Sequence, residues 1–163
     1  MKYLILLLSI IFLSSCTKEE QKNPLYEQLV GNYYASTIFV EEDIDINGDG
    51  IFSQNVLGEF GEQLNSSNNR LEIKPNELSG KEVLIINFPS LDPQSFILDT
   101  FITNAISLGG EYTIKDSLLI SEDKDITSIK LMDNNILEVK GTMDYLTYNG
   151  TKQITYTALY ERE

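Results

Sequence analysis

The strongest constraint on the fold is an alternation of apolar and polar residues that dominates the second half of the chain. Every second residue from Leu137 to Tyr145 is apolar or glycine, and the residues between them are mostly charged or polar. The same pattern runs from Ile154 to Tyr160. Successive side chains of a β-strand point to opposite faces, so this period of two places one face on a core and the other in water. The pattern predicts antiparallel strands.

The rest of the chain extends this pattern into a barrel. Nine candidate strands are predicted: Gly31–Val40, Arg70–Lys74, Glu82–Phe88, Ser95–Thr103, Glu111–Lys115, Ser117–Ser121, Thr127–Met132, Asn135–Thr147 and Lys152–Glu161. Turn-forming residues separate several of them, for example Gly109-Gly110 and Asn149-Gly150, and short turns join neighbouring strands. We therefore predict an all-β fold, an antiparallel up-and-down β-barrel of about eight strands, with one segment as an edge or split strand.

Two short helices are predicted beside the strands. Pro24 at a first helical position and Gly31 as a stop predict a helix over Pro24–Val30, just before strand one. A second helix is predicted between Gln54 and Leu64, where apolar residues recur at helical spacing after strand one.

The first sixteen residues have the pattern of a leader. Lys2 precedes an apolar run from Tyr3 to Phe12, too short to span a bilayer, and the run ends in Leu13-Ser14-Ser15-Cys16. This resembles the lipobox of bacterial lipoproteins, which implies a signal peptide over residues 1–15 and acyl chains (palmitate among them) on Cys16. The alternative is an ordinary secretory leader with a chance cysteine. We expect a lipidated tether over residues 16–24 and a barrel domain over residues 25–163.

The residues after Cys16 are relevant to where the protein is located in the cell envelope. Lys18-Glu19-Glu20 resembles the export signal of surface-displayed lipoproteins of some Gram-negative bacteria, although a solvated charged tether would look the same. We expect attachment to the outer membrane through the acyl chains on Cys16, at the cell surface or otherwise facing the periplasm. Stable anchoring takes two or more acyl chains.

A helix followed by Gly31-x-Tyr33 resembles the lipocalin-like barrels of bacterial lipoproteins, which have Gly-x-Trp at the start of the first strand. The resemblance implies a cup for a small apolar or amphipathic ligand. The candidate lumen residues are Phe96, Met143, Tyr145, Tyr156 and Tyr160. The same side chains could equally fill a solid core. In that case the protein would be an interaction module that contacts a protein or glycan partner, with its loop and its acidic surface as the contact.

One loop carries recognisable site chemistry. From Asp45 to Ser53 the chain reads D-x-N-x-D-G-x-F-S, the register of an EF-hand calcium loop, with Gly50 at the sharp turn. Alternate oxygen-bearing side chains suit calcium, which takes six to eight oxygen ligands (about 2.4 Å away). Phe52 stands where an apolar residue usually holds the loop to the domain. The candidate ligands are Asp45, Asn47, Asp49, the carbonyl of Ile51, Ser53 and Glu59. Asp43, Glu41 or Glu42 could complete the shell in place of Glu59.

The loop departs from the pattern at position twelve, where Val56 replaces the bidentate glutamate. Similar loops occur in dockerin modules and in lipocalin-like lipoproteins. We expect a weak, structural calcium site, with micromolar to millimolar affinity. The competing interpretation is that Asn47-Gly48 and Asp49-Gly50 are two turn dipeptides in an acidic loop.

Composition excludes several functions. The sequence has no histidine, which rules out catalysis by a Ser–His or Cys–His pair. Twelve basic residues face 25 acidic ones, a net charge of −13, so nucleic acid is not an expected partner. A carboxylate pair for glycoside hydrolysis is compatible with the many acids but disfavoured by the lack of tryptophan. We expect a non-enzymatic protein that is monomeric by default.

Overall fold

The structure, a computed structural model, describes residues 24–76, 81–98, 101–116, 118–133 and 135–163. The predicted leader, Cys16 and nearly all of the predicted tether lie outside the described residues. Nine strands form one antiparallel sheet: β1 Gly31–Ile44, β2 Ser53–Asn55, β3 Arg70–Pro75, β4 Glu82–Leu91, β5 Thr103–Lys115, β6 Leu118–Ser121, β7 Ile126–Asp133, β8 Ile136–Thr147 and β9 Gly150–Arg162. Within the described ranges the helices are α1 Pro24–Leu29, α2 Val56–Phe60 and α3 Ser95–Leu98.

The sheet closes on itself because β1 pairs along both of its edges. Residues Gly31–Tyr34 pair with β3, while the opposite edge of β1 pairs with β9 from Tyr33↔Arg162 to Val40↔Tyr156. Between these partners the strands follow in chain order from β3 to β9. The prediction of an antiparallel up-and-down barrel of eight strands is confirmed, and β2 is a short extra strand on the second half of β1.

The alternation in the last two strands lies as predicted. In β8 the residues Leu137, Val139, Gly141, Met143 and Tyr145 are buried. In β9 the buried residues are Ile154, Tyr156, Ala158 and Tyr160. These strands pair over twelve consecutive positions, from Ile136↔Glu161 to Thr147↔Gly150. Their apolar faces therefore line the inside of the barrel along most of its height.

The predicted strand Ser95–Thr103 is wrong. Asp92-Pro93-Gln94 turns the chain, with the Gln94 N–H donating to Asp92 Oδ1 at 2.8 Å, and Ser95–Leu98 forms the single-turn helix α3. The Ser95 hydroxyl then exchanges hydrogen bonds with the backbone N–H and carbonyl of Ile102. These local bonds take the place of sheet pairing for Ser95 and Ile102.

The predicted turn at Gly109-Gly110 is also wrong, since both glycines lie inside β5, opposite Ile85 and Leu84. Gly109 has a φ of +115°, and a Cβ built there would lie 2.2 Å from the Leu84 carbonyl oxygen. A side chain has no room at that position. The glycine allows β4 and β5 to approach, and the predicted strand Glu111–Lys115 is the last part of a strand of 13 residues.

Both predicted helices are present, and they define the two ends of the barrel. Helix α1 lies where β1 begins, and the Tyr33 hydroxyl donates to the Leu29 carbonyl at 2.7 Å. Helix α2 follows β2 at the opposite end, which we call the mouth, and is shorter than predicted because Gln54 and Asn55 belong to β2. Val56 and Phe60 of α2 are buried in the main core. Among the described residues, no helix is long and apolar enough to cross a membrane.

Candidate functional site

The loop with the calcium-binding pattern connects β1 to β2 at the mouth. These strands pair at Ile44↔Ser53 and Phe39↔Asn55, so residues 45–52 form the connection between two antiparallel neighbours. Asn55 then caps α2, its side-chain oxygen accepting from the Gly58 N–H at 3.2 Å. As the sequence indicates, a strand precedes the loop in place of the entering helix of an EF-hand.

Hydrogen bonds between three side chains and the nearby backbone shape the loop. The Asp45 carboxylate accepts from the backbone N–H groups of Gly48, at 2.7 Å, and Gly50, at 3.2 Å. The Asn47 side-chain oxygen accepts from the Asp49 N–H at 3.0 Å, and the Asp49 carboxylate accepts from the Ile51 N–H at 2.7 Å. The bonds draw the oxygens inward toward the loop backbone. Each carboxylate oxygen has a second lone pair, so these bonds leave capacity for a cation.

Helix α2 brings Glu59 to the same loop. Its carboxylate is buried and accepts from the Ile46 N–H at 3.1 Å, while the Asn47 side-chain amide donates to the Glu59 backbone carbonyl at 3.3 Å. Burial raises the pKa of Glu59, the backbone N–H of Ile46 partly offsets this, and the charges of Asp49 and Asp45 raise the pKa further. No ion pair between described residues includes any of these three carboxylates. Their negative charge is therefore not balanced by a basic side chain.

The six candidate ligands do not all converge. Asn47, Asp49 and Glu59 line one cleft at the mouth, about 470 Å³ in volume, together with residues of α2 and Phe101. Asp45 is buried beside it and bonded to the loop backbone. Ile51 is exposed, and the Ser53 hydroxyl accepts from the Asn55 N–H at 3.0 Å. Within the described ranges, no set of three or more Asp, Glu, His or Cys side chains is arranged to hold a metal ion. A cation here would need amide and carbonyl oxygens besides the acids.

Two details differ from an EF-hand loop. Phe52, expected to hold the loop to the domain, is 59% exposed. Val56, at position twelve, is the first residue of α2 and is fully buried in the core. Position twelve, which carries the bidentate ligand in an EF-hand, is therefore occupied here by a core residue. Glu59 is the carboxylate that α2 supplies to the loop.

Four of the five candidate lumen residues line the inside of the barrel. Met143, Tyr145, Tyr156 and Tyr160 are buried, and the ring of Phe88 lies 5.8 Å from that of Tyr145 and 4.9 Å from that of Tyr156. The Tyr145 hydroxyl donates to the Pro89 carbonyl at 2.6 Å and the Tyr156 hydroxyl to the Asp125 carbonyl at 3.2 Å. Rings packed in this way fill much of the interior.

The Tyr160 hydroxyl differs from its neighbours. It is fully buried and has no hydrogen-bond partner among the described residues, and the same holds for the Tyr26 hydroxyl of α1. Burial raises the pKa of Tyr160, and that of Tyr145 and Tyr156, far above the ordinary tyrosine value. All three hydroxyls are therefore uncharged donors at neutral pH. A buried donor without an acceptor is unusual in a folded protein.

Phe96 does not lie in the lumen, which corrects the prediction that placed it there. Its ring is 43% exposed on α3 at the mouth and lies 6.1 Å from the ring of Tyr148. The error follows from the strand predicted over Ser95–Thr103, because in a short helix the alternation of faces no longer applies.

Sequence reasoning missed a second cleft at the α1 end. It has a volume of about 400 Å³ and is lined by β4, β5 and β6, with Lys81 and Glu111 forming an ion pair at 2.5 Å on its rim. Tyr112 lines it, and its pKa is raised by burial and by the charge of Glu82. The register of the strands brings the lining residues of this cleft together, and no local sequence motif indicates that it is there.

Comparison with known proteins gives little further guidance. The chain matches no family model, and no curated protein matches it in sequence. Among solved structures it is similar to the complex of bovine odorant binding protein with a selenium-containing odorant, at 12% identity and a TM-score of 0.38. That match covers 90% of this chain and 77% of the other. The fold assignment depends instead on the strand order and closure described above: a short helix followed by an eight-stranded up-and-down barrel, the arrangement that the lipocalin resemblance predicts.

Proposed function

We propose that this chain is a lipid-anchored, non-enzymatic, lipocalin-like lipoprotein that binds a small amphipathic or apolar molecule inside its barrel. The observation that carries the proposal is the Tyr160 hydroxyl. Tyr160 lies on β9 between its paired neighbours Leu137 of β8 and Ala35 of β1, and its hydroxyl is fully buried with no partner among the described residues. A buried polar group left unpaired costs about 1–3 kcal/mol. A ligand with an acceptor oxygen at one end would remove that cost.

The chemistry of the interior defines the ligand class. The side chains around the tyrosines are apolar or aromatic, including Phe88, Met143 and Leu137. They suit a hydrocarbon or ring system, while the Tyr160 hydroxyl, as a donor, suits a carbonyl, hydroxyl or ether oxygen. The acidic charge of the chain disfavours a strongly anionic head group.

Anchoring is proposed through acyl chains on Cys16, with the barrel at the outer membrane and facing the cell exterior or, alternatively, the periplasm. Residues 16–23 span at most about 29 Å when fully extended. Helix α1 begins at Pro24 and lies at the end of the barrel opposite the mouth. An anchor before α1 would therefore join the barrel at the end opposite the mouth.

A weak structural calcium site is proposed at the mouth. Asp45, Asn47 and Asp49 would supply side-chain oxygens, Ile51 its carbonyl, and Ser53 and Glu59 outer ligands. What supports it is the unbalanced charge of Asp45, Asp49 and Glu59, together with loop hydrogen bonds that orient their oxygens. Calcium bound there would neutralise this charge and tie the β1–β2 connection to α2.

A second candidate function, an interaction module with a filled barrel, is favoured by a different observation. The packed rings of Phe88, Tyr145 and Tyr156 occupy the lumen, and neither the 470 Å³ mouth cleft nor the 400 Å³ cleft at the α1 end is lined by a predicted lumen residue. In that case Tyr160 would bond a buried water, and a protein or glycan partner would bind the outside.

Native mass spectrometry of the protein purified in detergent separates the two functions. The first predicts a retained lipid-like mass, or uptake of an added long-chain alcohol or monoacylglycerol, at one molecule per chain. Tyr160→Phe should lose that mass, and the matched control Tyr145→Phe should retain it because the Tyr145 hydroxyl is already bonded to Pro89. A protein that retains no ligand and takes up neither probe would establish the filled barrel instead.

A further inference from the structure

The mouth carries a patch of apolar side chains on the outside of the protein, and neither the proposed lumen ligand nor the proposed calcium site uses these side chains. Ile97 is 81% exposed and Ile51 is 67% exposed, and Phe52, Phe96 and Tyr148 are also exposed. We call these five residues the collar. Large apolar side chains exposed singly are ordinary, but a cluster at one end of a small protein is typical of an interaction surface.

Contacts link the three separate segments that carry the collar residues. The rings of Phe96, on α3, and Tyr148, in the β8–β9 turn, lie 6.1 Å apart. The Tyr148 ring also packs against the backbone of Gly48, where a Cβ would meet it at 2.5 Å. Ile51 and Phe52 follow Gly48 closely in the same loop. Tyr148 thus joins α3 to the β1–β2 loop, and the barrel frame holds all three segments at one end.

The charge around the collar is predominantly acidic. Between residues 39 and 63 the chain has seven acidic residues and no basic one, and between residues 89 and 106 it has two acidic residues and no basic one. Glu41, Glu42, Asp43 and Asp49 are exposed beside the loop. Lys152, the basic residue near the β8–β9 turn, is already paired with Glu42 at 2.8 Å. The collar is therefore an apolar centre with an acidic border.

We infer that the collar is a docking surface for a protein segment with an apolar centre bordered by lysine or arginine. The apolar side chains would supply the contact area, and the acidic border would select basic partners and repel anionic lipid. This deepens the second proposed function, on which it rests, by assigning the surface and the chemistry of the partner. The collar points away from the proposed anchor, where a partner can reach it.

Two synthetic amphipathic helices serve as probes, one of leucine and lysine and the other of serine and lysine with the same charge, each about 18 residues long. Fluorescence anisotropy should show the leucine peptide binding about tenfold more tightly, with affinity that falls as salt rises. In Phe52→Ser/Ile97→Ser this preference should disappear. In the matched control Leu118→Ser/Ile120→Ser, which removes exposed apolar side chains of β6, it should persist.

Three results would overturn the inference. Equal binding of both peptides would show plain attraction to an acidic protein, and loss of the preference in the β6 control would show that the collar is not the site. Binding to phosphatidylcholine vesicles that the collar variant abolishes, with no peptide preference, would make the collar a lipid contact. Ligand mass is a separate readout: a lumen ligand would contradict the filled barrel, whereas the peptide comparison tests the collar itself, so the two failures are distinguishable.

Discussion

The backbone N–H of Ile46 donates a 3.1 Å hydrogen bond to the carboxylate of Glu59, which is thirteen residues further along the chain. This bond joins the loop after β1 to helix α2 and places a buried acid beside Asp45 and Asp49. The mouth of the barrel is thereby built around carboxylates that repel one another. Its stability should depend on what neutralises them.

Calcium should therefore raise the melting temperature. With a free concentration tens of times the dissociation constant, the midpoint should rise by about 3–6 °C over the value in chelator. Asp45→Asn/Asp49→Asn should remove the calcium effect. The control Glu27→Gln/Glu122→Gln removes the same charge from exposed sites elsewhere and should keep it. Scanning calorimetry measures this, and a wild-type midpoint that is the same in calcium and chelator would contradict the site.

Glu59 should make the stability depend on pH in the absence of calcium. Its pKa in the folded protein lies above its ordinary value near 4.5. Stability from this group is therefore fully present below about pH 4.5 and is lost as the pH rises through the folded pKa. Relative to wild type, Glu59→Gln should gain stability as the pH rises over that range. Urea unfolding in chelator at several pH values tests this, with the exposed neighbour changed in Glu62→Gln as control. A constant difference between the wild-type and Glu59→Gln free energies across the pH range would refute it.

The two buried tyrosine hydroxyls should respond differently to removal. Tyr145→Phe leaves the Pro89 carbonyl without its buried donor and should lower the free energy of unfolding by about 1–2 kcal/mol. Tyr160→Phe removes a hydroxyl with no described partner and, in delipidated protein, should cost nothing or stabilise slightly. Denaturant titration of both variants measures these changes in the free energy of unfolding. A large loss in Tyr160→Phe would mean that this hydroxyl has a partner in the folded state.

The two glycines of β5 offer a matched pair. Gly109→Ala would place a Cβ 2.2 Å from the Leu84 carbonyl oxygen and should destabilise the protein by more than about 2 kcal/mol, or prevent folding. At Gly110 no atom lies within 4 Å of the added Cβ, so Gly110→Ala should cost less. Thermal melts followed by circular dichroism give the midpoint of each variant for comparison. Similar midpoints would show that β4 and β5 separate without cost.

The anchor can be tested on the full chain. Cys16→Ser should move the protein from the membrane fraction to the soluble fraction, because it removes the acceptor for both thioether-linked and later acyl chains. Ser14→Ala keeps a small residue before the cysteine and should leave the protein in the membrane fraction. Mass spectrometry of the wild-type N-terminal peptide should show the added lipid. An unmodified Cys16 in membrane-bound protein would refute the anchor.

Some features of this structure follow from short stretches of the sequence. The alternation in β8 and β9 needs only the two-residue period of a strand, and the bonds of Asp45, Asn47 and Asp49 join residues within five positions of one another. Such features depend on backbone geometry that a few neighbouring residues decide. They could be predicted without knowing what packs against them.

Other features depend on contacts between distant segments. Phe96 followed a strand-like pattern, but the Asp92 turn and the Ser95–Ile102 bonds made a helix there. The need for a glycine at position 109 comes from the backbone of β4, and the exposure of Phe52 comes from how the loop projects from the barrel.

The loop from Asp45 to Ser53 shows most clearly which features are local and which depend on contacts between distant segments. Its sequence alone determined the turns and the row of oxygen ligands, since these arise from side chains bonding to nearby backbone. Only the tertiary structure decided that Val56 is used by the core, that Glu59 takes its place beside the loop, and that Ile51 and Phe52 face outward. Those outcomes depend on which surfaces the closed barrel leaves available, and no local pattern encodes that.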